Sequence, residues 1–173
     1  MQLNDDWVPL AEALCRGDDA AATSEAAAAP GVKVTVLQEI TEDVRRECSQ
    51  MCRNDSNSSF RKSSPEDLAD WNYDAKDMEL HTKAPMLMTM LTAAGVNDKR
   101  MKLNTKKTGD EVQRGIVEAA AVLLYCRNRT MNAHQTLTAL QLHVGVASQG
   151  TFDRLHKRGL CTEHHMVATL QER

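Results

Sequence analysis

Apolar residues recur at intervals of three and four through most of the chain beyond residue 34, the spacing of amphipathic helices. Leu37, Ile40, Val44, Cys48 and Met51 share one face, and Thr35 with Gln38 has the form of a capping box opening that helix. The polar run RNDSNSSFRKSS, residues 53–64, shows no period and predicts a loop with nothing to bury. Ser64, Pro65 and Asp67 then supply an N-cap, a first helical residue and an N3 acceptor. The helix they open carries Leu68, Trp71, Ala75 and Met78 as its stripe. His81 to Lys83 interrupt the pattern and Pro85 restarts it. APMLMTMLTAAGV is apolar on nearly every side, which predicts a buried helix closed by Gly95, with Met86, Met88 and Met90 filling core space.

Thr108 with Glu111 caps the next helix, striped by Val112, Ile116, Ala120 and Leu123, and apolar enough in its second half to be the central one. After a break at 128–130, Asn132 and Gln135 cap a helix striped by Leu137, Leu140 and Val144 that stops at Gly145. A short basic helix ends at Gly159, and Thr162 caps a last one carrying Met166, Val167 and Leu170. Ahead of all this, residues 7–16 have the pattern of a short helix, while GDDAAATSEAAAAPG, residues 17–31, has no apolar face. The expected fold is all-α, an irregular bundle of six to seven short helices over 34–173 behind a flexible acidic, Ala-rich tail at 1–33. Composition strengthens this: 42% of residues are hydrophobic but only 3% aromatic, so Leu, Val, Ala and nine Met must fill the core. Few of these favour strands.

Net charge of -3 hides an asymmetry. Residues 1–98 hold nine Lys and Arg against eighteen Asp and Glu, whereas 99–173 hold twelve against six. A basic end facing a polyanion is one reading; packing or screening of the basic half by the acidic half is the other. Five scattered cysteines (Cys15, Cys48, Cys52, Cys126, Cys161) do not form a disulfide framework and read as free thiols. No apolar run approaches ~18 residues and the acidic N-terminus lacks a signal-peptide pattern. An intracellular protein of nucleus or cytoplasm is expected, neither secreted nor membrane-bound. Cys48 and Cys52 could pair with Cys161 and His164 around zinc, but the two pairs are distant and the apolar stripe already explains Cys48. There is no Gly-rich phosphate loop, His-Glu-x-x-His or nucleophile elbow, so neither an enzyme nor a cofactor is expected.

The stretch LHVGVASQGTFDRLHKRGL, residues 142–160, carries the remaining chemistry. Within 133–159 it has the parts of a helix-turn-helix: Gly145 ending one helix, Val146 plugging the turn, Ser148 capping the second, Phe152 and Leu155 facing inward. Thr151, Arg154, Lys157 and Arg158 then face outward as donors for phosphates and base edges. Gln141 stands where close helix approach wants a small residue, and Asp153 would repel phosphate. A bundle corner with a solvated basic face is the commoner form of such a pair.

Three segments in order, "W…MELHTKAPMLMTMLTAA", "VLLYCRNRTMNAHQTLTALQLHVG" and "TFDRLHKRGLCTEHH", carry a resemblance over residues 65–172. Its matching positions are Trp71, Glu79, Ala84, Pro85, Leu91, Arg127, Met131, Gln135, Gly145, Leu155, Leu160 and His165. The order resembles the region upstream of a C-terminal domain of unknown function in large uncharacterised transposon-derived proteins. That resemblance implies a helical module of a mobile-element protein or a domesticated relative, any nuclease chemistry lying in the C-terminal half beyond this region. It assigns no site residue. The expectation is a non-enzymatic module associated with nucleic acid through 133–159. The alternative is a protein-interaction or purely structural module, or a truncated fragment, its basic face serving an acidic partner such as the chain's own N-terminal half. The interaction reading predicts an exposed apolar patch at Met86–Leu91.

Overall fold

The computed structural model describes residues 30–96 and 106–171. These form eight α-helices: α1 Pro30–Met51, α2 Pro65–Ala69, α3 Tyr73–Lys83, α4 Pro85–Gly95, α5 Lys106–Arg127, α6 Ala133–Val144, α7 Gln149–Lys157 and α8 His164–Gln171. Two 3₁₀ turns, Asn54–Ser56 and Ser59–Arg61, separate α1 from α2, and there is no strand among the described residues. The fold is all-α. The expected helix at 7–16, most of the tail and the 97–105 connector lie outside the described residues. The chain divides into two units at Arg45, inside α1.

In the first unit Thr41 donates its hydroxyl to the Leu37 carbonyl (2.7 Å) and Arg45 pairs with Glu42 (2.6 Å). Leu37 is exposed and Ile40 and Val44 are half-buried, so the expected stripe is dry only at Cys48 and Met51, which belong to the second unit. Because α1 starts at Pro30, Thr35 sits inside the helix and is no cap.

In the second unit α5 is central, packing against α3, α4 and α6. Its buried face is Ile116, Val117, Ala120, Ala121, Leu124 and Tyr125. Leu123, expected inside, is half-exposed, because the seam follows 117, 120 and 124. The helix expected after Ser64 breaks in two. Ser64 caps α2 as read, accepting from the Asp67 N–H (3.2 Å), with Pro65 at the first position. Asn72 then caps a new helix by accepting from the Asp74 (2.8 Å) and Ala75 (3.2 Å) N–H groups. That restart resets the phase, so α3 buries Lys76 and Leu80 and exposes Ala75 and Met78.

The polar run before α2 is anchored after all. Phe60 is fully buried, edge-on to Trp71 at 6.2 Å, and Ser58 is buried beside it. The Lys76 ammonium lies 4.5 Å from the Trp71 ring centre and donates to the Ser59 carbonyl (3.1 Å). Burial lowers the Lys76 pKa. Ala84 links α3 to α4 at the expected break. The Glu47 carboxylate accepts from the Met86 (3.0 Å) and Leu87 (3.1 Å) N–H groups at the start of α4. Leu87 and Met88 are core, Met86 is half-buried and Met90 is exposed. The expected patch at Met86–Leu91 therefore reduces to Met90.

Candidate nucleic-acid interface

α6, α7 and α8 close a small core of Ala139, Phe152, Cys161 and Val167, with Leu140, Leu142, Ala147 and Leu155 packed against it. The small residue that lets the elements approach is Ala139, not the exposed Gln141. Val144, expected in the stripe, is 77% exposed, since α6 turns Ala133, Thr136 and Ala139 inward instead. The expected caps of α5, α6 and α8 also differ. Thr108 falls within α5, and Asn132 makes no side-chain cap. Gln135 is buried: its side-chain amide donates to the Gly159 carbonyl (3.3 Å), its backbone carbonyl accepts from the Thr162 N–H (3.2 Å), and its side-chain oxygen has no partner. The Thr162 hydroxyl is buried without a partner, and α8 begins two residues later.

The turn between α6 and α7 ends its helix by two backbone bonds: Val146 N–H to the His143 carbonyl (3.0 Å) and Ala147 N–H to the Leu142 carbonyl (2.9 Å). In this motif the residue after the cap is left-handed and the next one packs back on the helix. Val146 holds the left-handed place at φ 55°, 89% exposed. Ala147 is the plug, and Val146 is not. The same motif ends α7, with Gly159 at φ 73° and Leu160 N–H on the Leu155 carbonyl (3.0 Å). Ser148 precedes α7 as expected but makes no side-chain cap bond; its hydroxyl pairs with that of Thr151 (3.1 Å).

Phe152 is buried and Leu155 half-buried, which fixes the outer face of α7. Arg154, Lys157 and Arg158 are exposed, and none has a carboxylate partner among the described residues of this unit. Thr151 is half-buried and Asp153 exposed. Beside them His156 shares Nδ1 with the Cys161 carbonyl (3.1 Å), and Glu163 stands between His156 (3.4 Å) and His165 (3.0 Å). His164 meets the Phe152 ring edge-on at 4.8 Å.

Cys48, Cys52, Cys161 and His164 do not assemble, and no group of three or more such ligands among the described residues could hold a metal. Burial raises the thiol pKa of Cys48, Cys52 and Cys161. No described helix is long and apolar enough to cross a membrane.

One polar cluster gives no local pattern in the sequence. Tyr73 donates to Glu118 (2.8 Å), whose carboxylate lies 3.9 Å from His134 Nε2, and His134 packs on Trp71 (5.9 Å). Burial and the Glu118 contact push Tyr73 up to about 12, and burial lowers the His134 pKa against the weaker opposite pull of Glu118. Glu79 is half-buried, which alone would raise its pKa, yet bonds from Ser59, Ser58 and Lys83 bring it below the ordinary carboxylate value. These groups tie α3, α5, α6 and the 3₁₀ turn together, and their partners come from distant segments. No family model, curated protein or solved structure matches the chain.

Proposed function

We propose that this chain is a non-enzymatic helical module of a transposon-derived protein that contacts the backbone of nucleic acid through the α6–α7 corner. One observation carries the nucleic-acid reading: Arg154 and Lys157 on α7 and Arg158 at its end stand exposed without carboxylate partners, while Arg53 and Lys83 of the same unit have them. Unpaired cations of this kind act as phosphate donors. The transposon origin rests on the resemblance over residues 65–172. A protein-interaction role is the second reading, favoured by the exposed Val144 and Val146 at the same corner.

The test is fluorescence anisotropy of a labelled duplex titrated with the full chain across a salt series. Parent and Arg154→Ala/Lys157→Ala/Arg158→Ala are compared, the variant being shown folded by circular dichroism. Affinity that falls steeply with salt and is lost in the folded variant is expected. Absence of binding at low salt would sink the reading and turn attention to protein partners.

A further inference from the structure

We infer that the polyanion is a double helix, held along a basic track that continues from α7 onto the α5–α6 turn, with Arg127 and Arg129 as further phosphate contacts. This rests on the nucleic-acid reading above.

The join between the two basic segments is Gly159. A β-carbon added there would stand 3.7 Å from the Tyr125 ring and 3.8 Å from the Cys126 sulfur, so the end of α7 lies against the last turn of α5. The Arg129 guanidinium covers the same Tyr125 ring at 4.5 Å from its centre. Arg158 thus precedes in the chain the residue that meets this buried aromatic, whose ring Arg129 covers, and Cys126 and Arg127 are exposed in the last turn of α5. Arg127 donates to the Ser49 hydroxyl, and neither it nor Arg129 has a carboxylate partner among the described residues of this unit.

A helix C-terminus stabilises a nearby cation by about 0.3–1 kcal/mol. That accounts for one charge at each of the two helix ends; Arg127 is further held by Ser49 and Arg129 by the Tyr125 ring, while Arg154 and its α7 neighbour Lys157 make no such contact. The carboxylates on and just after α7 are Asp153 and Glu163, two against the five cations, and the two oxygens of Glu163 lie 3.4 Å from His156 and 3.0 Å from His165. The balance along the track stays positive.

The choice of double helix follows from what is missing beside the cations. Proteins that hold single strands stack the bases on exposed aromatic rings. Among the described residues Phe60, Tyr125 and Phe152 are buried, and Trp71 and Tyr73 are engaged edge to face with each other. Cations without a stacking platform contact phosphates, and a duplex presents those in a fixed array.

The experiment compares a short duplex with a single strand of equal length, both titrated with the full chain over a salt series. Each phosphate contact contributes about -0.9 to the log–log slope, so five cations predict roughly -4 to -5 on the duplex. Arg127→Gln/Arg129→Gln should reduce that slope by about two, while Arg129→Lys, which keeps the charge, should restore its share. Bound duplex should also protect Cys126 from alkylation, read at that residue by mass spectrometry.

An unchanged slope in the folded double variant, with Cys126 alkylated as fast in the complex, overturns the track; loss of binding in the α7 triple variant would then leave the α7 contact standing. Tighter binding to the single strand overturns the assignment to a double helix. A parent that binds neither overturns the nucleic-acid reading itself.

Discussion

Replacing Val146 by glycine should stabilise the protein, although it deletes an entire apolar side chain. Val146 holds φ 55°, a region that costs an L-residue about 1–2 kcal/mol and suits a β-branched one least. The side chain is 89% exposed, so its removal gives up almost no burial. Against the relief stands the greater freedom of glycine in the unfolded chain, ~0.5–1 kcal/mol. The balance is a gain of roughly 1 kcal/mol, or about 2–4 °C in Tm for a chain of this size.

Urea unfolding followed by circular dichroism reads this as a higher midpoint at unchanged slope. Val146→Ala is the control: it trims the side chain but keeps the β-carbon, and should recover little of the gain. Gly159→Ala should lose a comparable amount, because φ there is 73° while the added carbon meets only ordinary contacts at 3.7 and 3.8 Å. A Val146→Gly variant no more stable than the parent, or an alanine variant equal to the glycine one, would refute a left-handed residue at 146.

Three further outcomes follow from the buried polar groups. Gln135→Ala should cost roughly 1–3 kcal/mol in urea unfolding, since it opens a cavity and orphans the Gly159 carbonyl, offset in part by removal of the unpartnered side-chain oxygen. His134 has a folded pKa below the ordinary 6.5. Above that value both states are neutral; as pH falls through it the unfolded chain takes a proton that the folded one resists, so stability declines. His134→Gln should flatten this decline, and an identical pH profile would contradict the assignment. Tyr73 should ionise near 12, and Tyr73→Phe should remove that transition from an ultraviolet absorbance titration of the folded protein.

Most of the helices were legible because apolar residues recur along them at helical spacing, and the outer face of α7 was legible because Phe152 and Leu155 define its inside. Where Gln135 and Phe60 differ from the expectation the cause is shared: a local pattern was outbid by a contact distant in sequence. Gln135 has the spacing of a capping residue but spends its amide on Gly159. Phe60 is one aromatic in a polar run, so it sets no period, yet it meets Trp71 and is buried. The corner after α6 was misread by a single residue. In His143-Val-Gly-Val-Ala the glycine invites the left-handed place, but Gly145 has φ -75° and the next residue takes the turn. Arg129 joined no candidate site for the same reason as Gln135, since its neighbourhood depends on Gly159 reaching Tyr125.

The charge asymmetry of the sequence bears differently on function once the pairs are known. Between residues 46 and 96 four carboxylates have partners within the unit: Asp55 on Arg53, Glu79 on Lys83 and Ser59, Glu47 on the start of α4, and Asp77 on Gln113. None of them pairs with Arg154, Lys157 or Arg158. At physiological salt a charge is felt over only about 8 Å, so pairing at contact range decides what each surface presents. Those four carboxylates are therefore committed to contacts of their own. Contact-range pairing with them leaves the exposed cations of α7 uncompensated, and that excess positive charge is the ground on which the proposed phosphate contact rests.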